Sequence, residues 1–264
     1  MNSEDEAEYL DAAREAALKA GEEVLLVLGS DDRQIEYKGE LDLVTEMDRH
    51  SESLIKEFLA RSFPHVAVLA EEGGASGDST GAKWIIDPID GTTSYAHGLP
   101  HFAVSIGLEV EGEIRVGVVY NPPLKECFTA IKGQGAYLNG KRIKVSKTGE
   151  LKRSLLATGF PYDRKTSPDN NLDKFSALLM EIQGIRRMGS AALDLCYTAA
   201  GRFDGYWEMK LKPWDTAAGF LILTEAGGTI TDFSGNEYSI YGDELLASNG
   251  RIHNQMISVL KELK

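Results

Sequence analysis

An apolar run, Trp84-Ile85-Ile86, passes directly into Asp87-Pro88-Ile89-Asp90-Gly91-Thr92-Thr93. A fold that accepts this segment must bury the run and still leave two carboxylates grouped at its end. The proline bends the chain, so Asp87 and Asp90 can converge on one side of the turn with the Ile89 carbonyl between them. These are the hard oxygen donors that magnesium prefers. Gly91 lets the backbone approach closely, and Thr92-Thr93 can open a helix whose free N–H groups face an anion.

The remaining chain is organised as helices layered on sheets. Leu10, Ala13, Ala17, Val24 and Leu28 recur at helical spacing from Ser3 to Leu28, with Ser3 and Glu6 read as a capping box and Gly29 as the stop. A second helix begins near Thr45, with Met47, Leu54, Ile55, Phe58 and Leu59 on one stripe, and ends at Phe63-Pro64. Strands are predicted at Val66 to Ala70, Trp84 to Ile86, Phe102 to Val110 and Ile114 to Tyr120, with a hairpin turn at Asn139-Gly140. Beyond it, helices are predicted at Leu172 to Ile182, Ser190 to Ala200, Pro213 to Ala226 and Ile252 to Leu263. Strands are predicted at Tyr206 to Met209, Thr229 to Asp232 and Leu245 to Ala247. The most linker-like stretches are Gly73 to Gly81 and Asp163 to Asn171. The pattern is that of a mixed α/β protein.

Charge and composition exclude several classes. With 28 Lys and Arg against 41 Asp and Glu, the net charge of −13 repels phosphate backbones, so nucleic acid is not expected as the main partner. Small phosphorylated ligands held through a cation remain compatible. The two cysteines, Cys127 and Cys196, sit in apolar stretches and build neither a disulfide framework nor a thiolate zinc site. The acidic N-terminus carries no signal-peptide pattern and no membrane span is visible, so a cytoplasmic location is expected.

Further acids stand at element boundaries: Glu71 and Glu72 after a strand, Asp48 at a helix start, and Asp215 after Pro213-Trp214. Each has a plain structural account taken singly, a capping box for Asp48 and a helix first turn for Asp215. If they converge they demand cations, because like charges about 4 Å apart repel by roughly 4 kcal/mol per pair at an effective dielectric near 20.

The chain resembles the inositol monophosphatase family, magnesium-dependent and lithium-sensitive sugar-phosphate phosphatases, along nearly its whole length. The resemblance is carried by Asp42 to Asp48, Ala70-Glu71-Glu72, Trp84 to Thr93, Gly189 to Asp194 and Pro213 to Gly219. It implies a layered αβαβα fold, with an α+β half at 1–146 carrying most metal ligands and an α/β half at 147–264 carrying substrate contacts and the last ligand. It implies two to three Mg2+ ions. Glu71, Asp87 and the Ile89 carbonyl would hold the first, Asp87, Asp90 and Asp215 the second, and Glu71 with water a third. Asp48 and Thr92 would form a hydrogen-bonded pair, with Thr92 and Glu71 orienting the attacking water. Paired cations acidify water and stabilise attacking and leaving oxygens in an in-line displacement.

On the substrate side the resemblance assigns Asp90, Gly91, Thr92, Gly189, Ser190, Ala191, Glu208 and Asp215 to contacts with a small phosphorylated polyol or sugar. Inositol 1-phosphate is the first expectation and a homodimer the expected assembly. Arg186, Arg187, Lys210 and Lys212 form a local basic rim, read either as solvated or paired charges or as a grip on a second phosphate. The second reading would favour fructose 1,6-bisphosphate, with Arg187 and Lys210 as its contacts. 3′-Phosphoadenosine 5′-phosphate and histidinol phosphate are lesser alternatives. A regulatory binding protein is a rival of another class, since some bacterial relatives also engage the transcription machinery.

Overall fold

The computed structural model describes residues 3–28, 35–37, 43–77 and 81–263. The opening helix α1 (Ser3–Val27) is followed by a short antiparallel pair, β1 (Ile35–Tyr37) and β2 (Leu43–Thr45), and then by α2 (Glu46–Ser62). The helix stop assigned to Gly29 lies outside the described residues. The capping box assigned to Ser3 and Glu6 involves a side chain outside the described residues, while the Glu6 carboxylate accepts from Arg115 Nε at 2.8 Å, across to a strand of the sheet beneath. In α2 the buried face runs through Asp48, Ser51, Glu52, Ile55 and Leu59, so polar side chains occupy a stripe whose predicted members were all apolar.

Eight strands follow: β3 (Ala67–Ala70), β4 (Gly74–Ser76), β5 (Ala82–Asp90), then β6 (Ala103–Val110) after the short helix α3 (Thr92–Ala96), and β7 (Glu113–Asn121), β8 (Glu126–Ile131), β9 (Gly135–Leu138) and β10 (Lys141–Arg142). They form one sheet in the order β10-β9-β8-β7-β6-β5-β3-β4, antiparallel except where β3 runs alongside β5. The predicted turns are present: Glu111-Gly112 joins β6 to β7 and Asn139-Gly140 joins β9 to β10, all four residues at positive φ. The predicted linker at 73–81 contributes the edge strand β4.

The second half contains β11 (Leu155–Thr158), α4 (Leu172–Glu181), β12 (Gly184–Arg186), α5 (Ala191–Ala199), β13 (Gly205–Met209), α6 (Pro213–Glu225), β14 (Thr229–Thr231), β15 (Glu244–Ser248) and α7 (His253–Lys261). Its five strands order as β12-β11-β13-β15-β14. β8, β11 and β12 are absent from the predicted elements.

Three apolar groupings explain the layering. Tyr9 of α1 stacks on Phe63 at 4.1 Å between ring centroids, and both rings meet Trp84 of β5, closing the two opening helices onto one face of the large sheet. α5 and α6 fill the space between the two sheets, with Leu193, Leu195, Ala217 and Leu221 in one continuous core. Leu178 of α4 and Met256 and Leu260 of α7 cover the outer face of the small sheet with Trp207 and Leu246. The result is the expected αβαβα stack.

The approach of α6 to the large sheet needs two glycines. Gly107 and Gly117 face each other across β6 and β7, and a Cβ at Gly117 would lie 2.8 Å from the Ala218 carbonyl oxygen. A Cβ at Gly107 would lie 3.1 Å from that of Ala217. The pair therefore sets how close the first turn of α6, with Asp215, comes to β5.

Candidate active site

Asp87 and Asp90 belong to β5 itself, which is longer than predicted. A spacing of three would put them on opposite faces of a regular strand. The pairing with β6 slips here, Asp87 opposite Ser105 and Asp90 opposite Ala103, so one extra residue sits in β5 at the Pro88-Ile89 bend. That bulge brings both carboxylates to the same side. At the strand end Gly91 has φ of 100°, and a Cβ there would lie 3.1 Å from the carbonyl oxygens of Gly189 and His101.

One carboxylate oxygen from each of Asp87, Asp90 and Asp215 lies within 4.8 Å of the other two. Asp87 Oδ1 accepts from Ile89 N at 3.0 Å, and Asp215 Oδ2 accepts from Lys212 N at 2.7 Å. Asp90 Oδ2 accepts from Ser190 Oγ at 2.6 Å and Ala192 N at 2.7 Å, which ties β5 to the start of α5. Burial raises the pKa of all three. Glu71 and the neighbouring acids push Asp87 further, Asp90 does the same to Asp215, and the bonds from Ser190 and the α5 amides hold Asp90 at about 6.

Thr92 and Asp48 form the expected pair. Thr92 Oγ1 lies 3.1 Å from Asp48 Oδ1, to which it donates, and 3.0 Å from the Ile89 carbonyl oxygen. The other oxygen of Asp48 accepts from Thr45 N at 2.7 Å and Thr45 Oγ1 at 2.6 Å. Asp48 is fully buried, and burial raises its pKa to about 6 against these bonds. It stands behind Thr92 and does not line the cleft.

The cleft has a volume of about 480 Å3. Its acidic end is made by Glu71, Asp87, Asp90 and Asp215, with Ile89, Gly91 and Thr92 beside them. Gly189 and Ala191 form another part of the lining, together with Arg187 and Glu208. Ser190, expected to contact substrate, does not line the cleft: it is 1% exposed, and its hydroxyl donates to Asp90 while accepting from Leu193 N as the cap of α5. Glu208 accepts from Tyr206 Oη at 2.5 Å, and burial raises its pKa to about 7. Asp194, on the α5 turn behind Glu208 and Asp90, is buried with Oδ1 unpartnered and its pKa raised.

The basic rim is only partly assembled. Arg187, Lys210 and Lys212 line the cleft, whereas Arg186 does not. The Lys210 ammonium is engaged within the protein, donating to Asp163 Oδ2 at 2.7 Å and Ser167 Oγ at 3.0 Å. The sequence marked Asp163 as the start of a polar loop but gave no sign of the wall leading into it, Gly159, Phe160, Pro161 and Tyr162, with Trp214 also on the lining. The polarity of 163–171 marked a loop, but Phe160 and Tyr162 look like core residues in a sequence.

The donor set tests which ion would suit. It is oxygen-only, with no cysteine or histidine among Glu71, Asp87, Asp90, Asp215 and the Ile89 carbonyl. Hard divalent cations fit such a set, and the buried like charges require them.

Residues 5–264 match the sequence profile of the inositol monophosphatase family. An inositol-1-monophosphatase of Synechocystis sp. is 46% identical over 254 residues, spanning 96% of this chain and 88% of the relative. The Nus factor SuhB of Vibrio cholerae is 42% identical over 255 residues, 96% of each chain. Among solved structures, the inositol monophosphatase from Anabaena superposes with a TM-score of 0.89 at 44% identity, covering 97% of this chain and 96% of that one. The extragenic suppressor protein suhB from Bartonella henselae gives 0.92 at 40% identity, covering 96% and 98%. The chain belongs to the inositol monophosphatase family. Membership makes it one of a family of metal-dependent phosphatases, and the acidic group that could bind metal lies where β5, α5 and α6 meet. No helix among the described residues is long and apolar enough to cross a membrane.

Proposed function

We propose that this chain is a magnesium-dependent phosphatase that hydrolyses small phosphate monoesters, inositol 1-phosphate foremost. The observation that carries the reading is the oxygen-only group of buried Asp87 and Asp90 with half-buried Asp215, open to a cleft that also holds Glu71 and Thr92. Magnesium held by Glu71, Asp87, the Ile89 carbonyl, Asp90 and Asp215 would neutralise the phosphoryl oxygens and favour in-line displacement by water.

The protein groups divide the remaining work. With its proton committed to Asp48, the Thr92 hydroxyl presents lone pairs to the cleft and accepts a hydrogen bond from the attacking water. Glu71, beside it on the lining, takes the water's proton. Glu208 accepts from a hydroxyl of the leaving polyol, while Gly189 and Ala191 are small enough to let its ring rest against backbone. Arg187 lies beside these groups, its guanidinium where a Cβ on Gly189 would meet it at 2.6 Å and near enough to Glu208 to lower that pKa, and it suits an anionic oxygen.

Fructose 1,6-bisphosphate is the alternative substrate, supported by Arg187 and Lys212 on the lining and weakened by the pairing of Lys210. Relatives named Nus factor SuhB support a second reading, a binding role beside catalysis. A homodimer and a cytoplasmic location complete the proposal on the family likeness. Phosphate release should be measured at saturating magnesium from inositol 1-phosphate and fructose 1,6-bisphosphate, with Asp90→Asn as control. Release from inositol 1-phosphate that is inhibited by lithium and abolished by the substitution is the expected result. Release from neither ester overturns the inositol-phosphate reading and moves weight to 3′-phosphoadenosine 5′-phosphate or to the binding role, for which partner capture by the Asp90→Asn protein is the check.

A further inference from the structure

The wall formed by residues 159–163 belongs to none of the acidic motifs, yet it is held as firmly as they are. At its base, Asn171 Nδ2 donates to Thr158 Oγ1 at 2.9 Å and to the Gly159 carbonyl at 2.6 Å, while Asn171 Oδ1 accepts from Trp207 Nε1 at 2.8 Å. Farther out, the loop bears Tyr162, 54% exposed and on the cleft lining. This outer part is fastened by Lys210, whose ammonium reaches both Asp163 Oδ2 at 2.7 Å and Ser167 Oγ at 3.0 Å.

Lys210 sits just past β13 with φ of 60°, in the left-handed region where glycine is at ease and lysine is not. Lys210 keeps a backbone conformation that costs a lysine, and both hydrogen-bond partners of its ammonium are on the loop. We propose that the Lys210–Asp163–Ser167 clasp fixes the Phe160–Asp163 wall and thereby sets a preference for ring-bearing phosphate esters over short ones. Lys210 is then a positioning residue rather than a phosphate ligand.

The physical argument is one of reach and order. A ring-sized polyol fills more of a cleft of about 480 Å3 than a three-carbon ester does, so it gains more from a wall already in place. The clasp is partly exposed, with Lys210 at 27% and Asp163 at 49%, so it orders the loop without holding the fold together. The proposal rests on the phosphatase reading, but the clasp itself has a readout independent of it. Arg164 and Lys165 place tryptic sites on the fastened segment.

The test compares Lys210→Gly, Asp163→Ala, the double variant and Lys210→Arg by limited trypsin digestion, melting temperature and kinetics. Lys210→Gly relieves the backbone, so its melting temperature should not fall. Cleavage after Arg164 or Lys165 should nevertheless quicken by about fivefold in each single variant, with nothing added in the double variant and near-wild-type rates in Lys210→Arg. The ratio of kcat/KM for inositol 1-phosphate over glycerol 2-phosphate should fall about fivefold in both single variants, through KM. Unchanged digestion overturns the clasp, and faster digestion with an unchanged ratio overturns its part in specificity. A loss confined to bisphosphate esters in Lys210→Gly, absent from Asp163→Ala, would make Lys210 a phosphate ligand and overturn the proposal. Wild-type protein inert toward both esters strikes the phosphatase reading instead, and the digestion still decides the clasp.

Discussion

Two aspartates within the same site carry opposite structural consequences. Asp90 is surrounded by like charges, so Asp90→Asn removes a repulsion while leaving an oxygen for Ser190 and the Ala192 amide. At pH 7.5 without divalent cations its melting temperature should equal or exceed that of wild type, while phosphate release with magnesium drops by at least about a hundredfold. Calorimetry beside a phosphate assay separates the two effects; a broadened, non-cooperative transition would assign Asp90 a structural role instead. Asp48→Ala should behave differently. It strips the cap from Thr45 and frees the Thr92 hydroxyl, so urea titration should show a loss of about 1–3 kcal/mol as well as slower turnover. The acids were legible in the sequence because each stands at an element end; singly each has a plain account as a cap or a first-turn charge, and only their number pointed to a shared cation. The direction of Ser190 was not, since its hydroxyl serves as a cap and a carboxylate donor from one position, and the first of these is all that local sequence reveals.

At the scale of elements, the bulge in β5 and the glycine pair in β6 and β7 do the placing. Gly117→Ala sets a methyl 2.8 Å from the Ala218 carbonyl oxygen, which the α6 backbone can relieve only by moving away from the sheet. A stability loss of about 1–3 kcal/mol is expected. Because Asp215 is in the first turn of α6, magnesium affinity measured by calorimetric titration should weaken as well; unaltered affinity would show that α6 does not set the position of Asp215. Long periodic helices and the hairpin turns were readable, since their signals are local. β11 and β12 escaped because strands of four and three residues carry too little alternation, and their place depends on partners far along the chain. The polar stripe of α2 also departed from its apolar pattern, because Glu52 is buried against the Glu72 and Gly73 amides and Asp48 against the Thr92 hydroxyl, partners that no local window of sequence contains.

For the molecule as a whole, the sequence indicated layers and acids but not their meeting, which requires Asp215 to travel from the second half onto the first sheet. The consequence is a proton linkage. In the folded state Glu208 has a pKa of about 7, and Asp87, Asp194 and Asp215 are raised well above their ordinary values, chiefly by burial. Groups raised on folding stabilise below their unfolded pKa values, and that contribution is lost as pH rises through the folded ones. His101, lowered to about 4, and His253, also lowered, act only below about 6.5, where the unfolded chain takes up protons first. Between pH 6.5 and 8 the acids therefore act alone, and chelated protein should melt at progressively lower temperature as pH rises. Magnesium should flatten or reverse that slope, and a slope indifferent to magnesium would place the ion elsewhere. The bond network of Asp90 has a corollary for how such a protein can change. A residue at the reaction centre is also the stitch between β5 and α5, so variation that retunes chemistry there disturbs the alignment of the two sheets. Diversity compatible with both demands is channelled toward the outer loop walls, where new substrate preferences can arise without reopening the seam.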